Sequence, residues 1–233
     1  MNAGGPATAP RPRDAATLII LDRSRSGAWA LMGKRHGGHA FMPGKYVFPG
    51  GRVEPEDWRM RVADGLDPVI EAKLNARVRR PSPAFARSLA LAAIRETFEE
   101  AGLAIGVEAA GARPAAPGAW SRFAATGVEP ALAEVDFLVR AITPPGRPRR
   151  FDARFFVVDA SRIARRVDGA VHPDAELVDL VWTPLEKARE LDLPRITLLA
   201  LDELAAALGS GLDKMRPRPF YRELRGRRLR EEL

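Results

Sequence analysis

The chain has 233 residues, 46% of them hydrophobic and 29% charged, with a formal net charge of +7. That is the composition of a soluble globular protein long enough to bury a sizeable core. The absence of Cys excludes disulfide scaffolds, thiolate zinc sites and cysteine nucleophiles. No apolar run approaches the roughly 20 residues a membrane helix needs, and Met1–Asp14 lacks an apolar signal core. The expectation is a cytoplasmic enzyme or binding protein.

In chain order, residues 1–14 are rich in Gly, Pro and Ala and read as a disordered tail. Thr17–Leu21 and Trp29–Met32 are short apolar runs around the turn residues Ser24–Gly27, which predicts a hairpin. Residues 33–49 read as loop, with a brief extended piece at Tyr46–Phe48. Ile70, Leu74 and Val78 recur at helical spacing and predict a helix over 68–80. Pro81-Ser82-Pro83 breaks it. Ser82 suits an N-cap, and Gly102 a left-handed C-cap, for a helix over about 84–101. A loop over 109–118 precedes two strands, Val135–Ile142 and Phe151–Val158, joined by the turn sequence TPPGRPRR. Leu177–Trp182 is a third strand, residues 184–190 a short helix, and Ile196–Leu208 a longer one stopped by Gly209. Residues 213–233 are Arg-rich and read as a basic tail. Strands interleaved with helices predict an α/β (α+β) fold.

The chemistry concentrates in Arg95-Glu-Thr-Phe-Glu-Glu-Ala-Gly102. On a helix, Leu91, Ile94, Phe98 and Ala101 form one apolar stripe, and Glu96, Glu99 and Glu100 fall on the opposite side within about one turn. Glu99 and Glu100 sit near a helix C-terminus, where the dipole disfavours anions. Crowded carboxylates there repel one another unless a cation holds them, and hard oxygen donors suit Mg2+ or Mn2+. A solvated acidic face is the alternative. A second element, Phe48-Pro-Gly-Gly-Arg-Val-Glu54, carries paired glycines that allow close backbone approach.

Together these residues resemble the Nudix hydrolase signature, G-x5-E-x7-R-E-U-x-E-E-x-G-U, with U bulky and apolar. Arg95, Glu96, Glu99, Glu100 and Gly102 fill its second half, and Leu103 the last U. Thr97 stands in the first U. Gly51 opens the first half, with Asp57 six residues later where the family has Glu. Residues 58–94 then stand in place of seven. The split box is similar to the coenzyme A diphosphatase-like, peroxisomal-type branch, in which a Phe-Met-Pro-Gly segment precedes the glycines, as Phe41–Gly44 does here. Thr143-Pro-Pro and Arg149–Phe156 strengthen that likeness. A peroxisomal C-terminal address is not seen, the chain ending Glu-Glu-Leu.

The resemblance implies an α/β/α sandwich with a mixed sheet over residues 15–212, a helical insertion at about 58–94, and Mg2+- or Mn2+-dependent hydrolysis of a diphosphate. It assigns Glu96, Glu99 and Glu100 to the metal, with Glu54 as a further ligand and Glu176 as a distant general base. Gly50, Gly51, Asp57, Arg95 and Gly102 are expected to shape the box, with Arg95 pairing with Asp57 or Glu99. Arg35, Arg150 and Arg154 are candidates to meet phosphates, and Phe151 to stack on a base. Coenzyme A or acyl-CoA is the leading substrate; NADH, ADP-ribose and a modified dNTP are alternatives, as is a non-catalytic nucleotide-binding regulator. A homodimer is compatible, and no membrane partner is expected. His36, His39 and His172 lack metal-ligand spacing, and no P-loop is present. The positive charge lies in the ends and in residues 58–94, which offers Arg77, Arg79 and Arg80 as a steering surface. Nucleic-acid binding is the rival reading of that charge, without a supporting motif.

Overall fold

The computed structural model describes residues 10–39, 42–111, 116 and 118–233. Phe41 of the sequence likeness, residues 1–9 of the expected tail and part of the 109–118 loop lie outside them. The strands are β1 (Arg13–Asp22), β2 (Trp29–Arg35), β3 (Tyr46–Val47), β4 (Gly50–Arg52), β5 (Leu103–Ile105), β6 (Val107–Glu108), β7 (Val128–Glu129), β8 (Asp136–Ile142), β9 (Phe151–Asp159), β10 (Ile163–Arg166), β11 (Leu177–Pro184), β12 (Pro219–Leu224) and β13 (Arg227–Glu232). The helices are α1 (Pro68–Asn75), α2 (Pro83–Ala101), α3 (Ser121–Ala125) and α4 (Arg195–Gly209).

The main sheet runs β11-β2-β1-β9-β8-β12-β13, with β3 on β2 and β4 on β1. It is mixed: β1 pairs with β9 in parallel and β8 with β12 in parallel, and the remaining pairs are antiparallel. β1 explains the layering by its alternation. Ala16, Leu18 and Ile20 point to one face, where Leu89, Ile94 and Phe98 of α2 cover them. Ile19 and Leu21 point to the other, under Leu201 and Leu204 of α4. A strand buried on both faces reads as a continuous apolar run, as Leu18–Leu21 does. The result is an α/β/α sandwich, as expected from the resemblance.

α2 starts where the sequence places it. The Ser82 side chain accepts from Phe85 N at 3.0 Å, Pro83 occupies the first turn, and Gly102 closes the helix at φ 68°. α1 is shorter than the periodicity predicts: Ala76 is extended and Arg77 takes a left-handed φ of 54°, so Val78 lies beyond the helix. Residues 184–190 form only a 3-10 turn at Ala188–Glu190.

Two expectations at the chain ends change. Arg13 and Asp14 belong to β1, paired with Phe151 and Asp152 of β9. The Arg-rich segment is no free tail: β12 joins β8 and folds back as β13. Its arginines find carboxylates, which is why it holds. Arg218 is fully buried and donates to Asp136 at 2.7 Å, and Arg222 pairs with Glu231 at 2.5 Å. No helix among the described residues is long and apolar enough to cross a membrane.

Candidate active site

The site is organised by one buried cation. Arg95, 3% exposed, directs its guanidinium from α2 into the loop after β4. It donates Nε to Asp57 Oδ1 at 2.9 Å and Nη2 to Asp57 Oδ2 at 3.1 Å, a bidentate pair. Nη2 also reaches the Arg52 carbonyl at 2.8 Å. Nη1 serves the helix carboxylates, Glu96 at 2.9 Å and Glu99 at 3.1 Å. Both pairings expected of Arg95 are therefore present. Asp57 is fully buried and accepts further bonds from Glu54 N at 2.8 Å and Trp120 Nε1 at 2.9 Å. With every lone-pair direction claimed, Asp57 is a structural anchor for the box. Trp120 was not foreseen; it lies 63 residues away, and no local pattern in the sequence marks it.

The glycines bring β4 against this helix. A side-chain carbon on Gly50 would lie 2.6 Å from the Ala16 carbonyl, and one on Gly51 2.3 Å from Glu96 Oε1. The free Gly50 N–H donates to Glu100 Oε2 at 3.2 Å. Glu96 and Glu100 are thus pressed onto β4 rather than left in solvent.

Electrostatics follow from that burial. Desolvation pushes the Glu96 carboxyl up to about 7, opposed by Arg95 and reinforced by Glu99 and Glu176. Burial raises Glu100 well above the usual carboxylate range, with Glu176 and Glu96 adding repulsion. Glu99 is raised too, first by burial, with Arg95 opposing. Burial thus makes ionisation of all three carboxylates costlier than in water.

Glu176 joins this group from the loop before β11. Its carboxylate accepts from Arg35 Nη2 at 2.6 Å, and its carbonyl from His36 N at 3.0 Å. Arg35, at the end of β2, is buried and also lies 2.9 Å from His39 Nδ1. The sequence offered His39 only as a histidine without metal-ligand spacing, and its place beside Arg35 was not expected.

Other expected site residues are placed elsewhere. Arg154 is 1% exposed and held by Asp14 at 2.6 Å and Asp152 at 3.2 Å, so it is a core cation closed to phosphate. Arg150 donates to the carbonyls of Thr143 and Pro10, bracing the β8–β9 turn. Phe151 begins β9, in register with Arg13. Glu54 pairs with Arg52 at 3.4 Å and lines a cavity of about 380 Å³ with Arg13, Trp58 and Phe85, apart from the helix carboxylates. Arg77 pairs with Glu231. Arg79 and Arg80 precede the N-terminus of α2, which lies roughly 24 Å along that helix from Glu99 at 1.5 Å per residue, so they do not line the box.

Among the described residues, no three His, Asp and Glu side chains are grouped as they stand to hold a metal ion. The donor chemistry nonetheless fits a hard cation. Glu96, Glu99 and Glu100 supply oxygens only, and burial with mutual repulsion leaves them short of positive charge. Binding one ion would require Glu96 and Glu99 to turn from Arg95 Nη1.

Comparison with solved structures supports the family resemblance. The NUDIX hydrolase of Alicyclobacillus acidocaldarius superposes with a TM-score of 0.65 at 28% identity, over 90% of this chain and 98% of that one. The chain has the fold of a Nudix hydrolase. Two more distant likenesses are the NUDIX domain of Shewanella oneidensis NrtR complexed with ADP ribose (12% identity, 88% and 94% coverage, TM-score 0.48) and a MutT NUDIX hydrolase from Burkholderia pseudomallei (21%, 84% and 99%, 0.43). No family model and no curated protein matches. The Nudix box here is interrupted, yet Arg95 and Asp57 rejoin its halves, and the end of the interruption, from Pro83, is the first part of α2 itself.

Proposed function

We propose that this Nudix hydrolase cleaves a diphosphate linkage in a nucleoside diphosphate derivative with Mg2+ or Mn2+, coenzyme A or acyl-CoA being the first substrate class to test. One observation carries the reading: three carboxylates cluster on α2, and Glu176, fixed by Arg35, lies close enough to add repulsion to Glu96 and Glu100. Glu96, Glu99 and Glu100 would hold the metal. When bound, a divalent cation neutralises diphosphate oxygens and acidifies a water. Glu176 accepts the proton of the attacking water as its oxygen forms the new P–O bond and the anhydride P–O bond breaks. Arg35 Nη2 holds the Glu176 carboxylate in place. Arg95 and Asp57 keep α2 at its distance from β4.

Coenzyme A is favoured by the split box and by the segment ending in Met42-Pro-Gly44 before the paired glycines. The test is a hydrolysis panel with each metal over coenzyme A, acyl-CoA, NADH, ADP-ribose and dNTPs. Release of a phosphopantetheine product, lost in Glu99→Gln, supports the proposal. Cleavage of another member alone reassigns the substrate. Tight nucleotide binding with no turnover on any member, in wild type and Glu99→Gln alike, identifies a non-catalytic binder.

A further inference from the structure

Among the described residues, the main sheet ends on β13, which has no second strand beside it. β13 has β12 as its sheet neighbour and closes the strand order. Arg218 and Leu233 exchange backbone hydrogen bonds at 3.2 and 2.9 Å. Such pairs alternate along an antiparallel ladder. In the observed register, Phe220 with Glu231, Arg222 with Leu229 and Leu224 with Arg227, the main-chain groups of residues 227, 229 and 231 therefore face β12. Those of Arg228, Arg230 and Glu232 face outward, and all three residues are exposed. A row of free N–H and C=O groups is a template for another strand.

Charged side chains on an edge normally discourage pairing. Here their order matters. Two identical strands that pair antiparallel about a two-fold axis must match residues of the same sheet face, so the register is centred on one residue. Centred on Arg230, it engages all the outward groups of both strands. It also sets Arg228 of each copy opposite Glu232 of the other, giving two opposite-charge cross-strand pairs. The two Arg230 side chains that meet at the axis are already compensated. Each donates to Glu203 Oε1 at 3.2 Å and to Tyr221 Oη at 3.0 Å. On the opposite face, Glu231 is occupied by Arg222 and Arg77 and does not compete.

We propose that β13 is a homodimer interface, two copies continuing the sheet antiparallel through this strand in the register centred on Arg230. The chemistry recognised is the strand's own sequence of signs, Arg-Arg-Leu-Arg-Glu-Glu, read in reverse.

The experiment measures mass by light scattering and sedimentation across a concentration series of the full chain. Wild type is expected to be dimeric. Arg230→Pro removes an outward N–H and leaves the β12 ladder intact, so a monomer with unchanged circular dichroism is expected. Arg228→Glu and Glu232→Arg are each expected to raise the dimer dissociation constant about tenfold or more. The double variant, which restores opposite signs, should return it to the wild-type value. This reciprocal rescue tests the register even if the proline variant fails to fold. A wild type that stays monomeric at high micromolar concentration overturns the proposal. So does a dimer indifferent to the charge reversals, or a double variant that is not rescued.

Discussion

Arg35 Nη2 lies 2.6 Å from Glu176 Oε1, joining the end of β2 to the loop before β11 beside the box carboxylates. The two residues are 141 positions apart. The contact fixes a carboxylate that faces Glu96 and Glu100 of α2 and keeps a cation close to groups that otherwise repel. Arg35 was expected to meet phosphate; in this arrangement its work is done on Glu176.

Removal of that cation should act on turnover. Arg35→Ala is expected to lower kcat about a hundredfold, with a smaller change in KM, because general-base help of this kind is worth roughly 10²–10⁴. Arg35→Lys should recover part of the loss. A pure KM effect, read from steady-state kinetics on the substrate the panel identifies, would place Arg35 on substrate instead.

The helix carboxylates should be dispensable for folding and not for reaction. Glu99→Gln and Glu100→Gln are expected to lower kcat/KM about a hundredfold or more, about 2.7 kcal/mol of transition-state stabilisation. Their denaturation midpoints should stay at or above wild type, since each substitution removes a desolvated charge. Wild-type activity in both variants would remove the metal assignment.

Asp57→Ala should behave in the opposite manner. It strands the guanidinium of Arg95 in the interior, and breaking a buried pair from one side costs roughly 3–5 kcal/mol. Denaturant titration reads this directly. Asp57→Asn preserves shape and the acceptor for Trp120 and should cost less.

The pH dependence of stability has a definite sign. Glu96 rises from 4.5 to about 7 on folding, so between those values the folded chain binds more protons than the unfolded one. Stability of metal-free protein therefore falls as pH rises through that window and is fullest below it. Excess Mg2+ should flatten the decline, because the added cation favours the ionised carboxylates. Melting curves between pH 4.5 and 8, with EDTA and with Mg2+, would reveal a decline of the wrong sign or one indifferent to metal.

Much of the sandwich was legible because its strongest signals are local. Ser82, Pro83 and Gly102 bound α2, and the unbroken run Leu18–Leu21 marks a strand covered on both faces. The box carboxylates were legible from their spacing. What escaped depends on distant partners. Trp120 matters through a contact with Asp57, 63 residues away, and His39 through its closeness to Arg35 and to the distant Glu176. Arg154, Arg218 and Arg222 look solvated in sequence because nothing local announces Asp14, Asp152, Asp136 and Glu231. Short strands such as β5, β6 and β7 carry two or three residues each, too few for a period to appear.

α2 is a single rod of 19 residues with its carboxylates confined to the last two turns. Its first half, from Phe85 to Ile94, is clamped in the core and carries no chemistry. The aim of the carboxylates is thereby decided far behind them, as a barrel set in a mount decides where it points. Core substitutions such as Leu89→Ala, remote from any substrate, would then be felt as misalignment at the box before they are felt as unfolding.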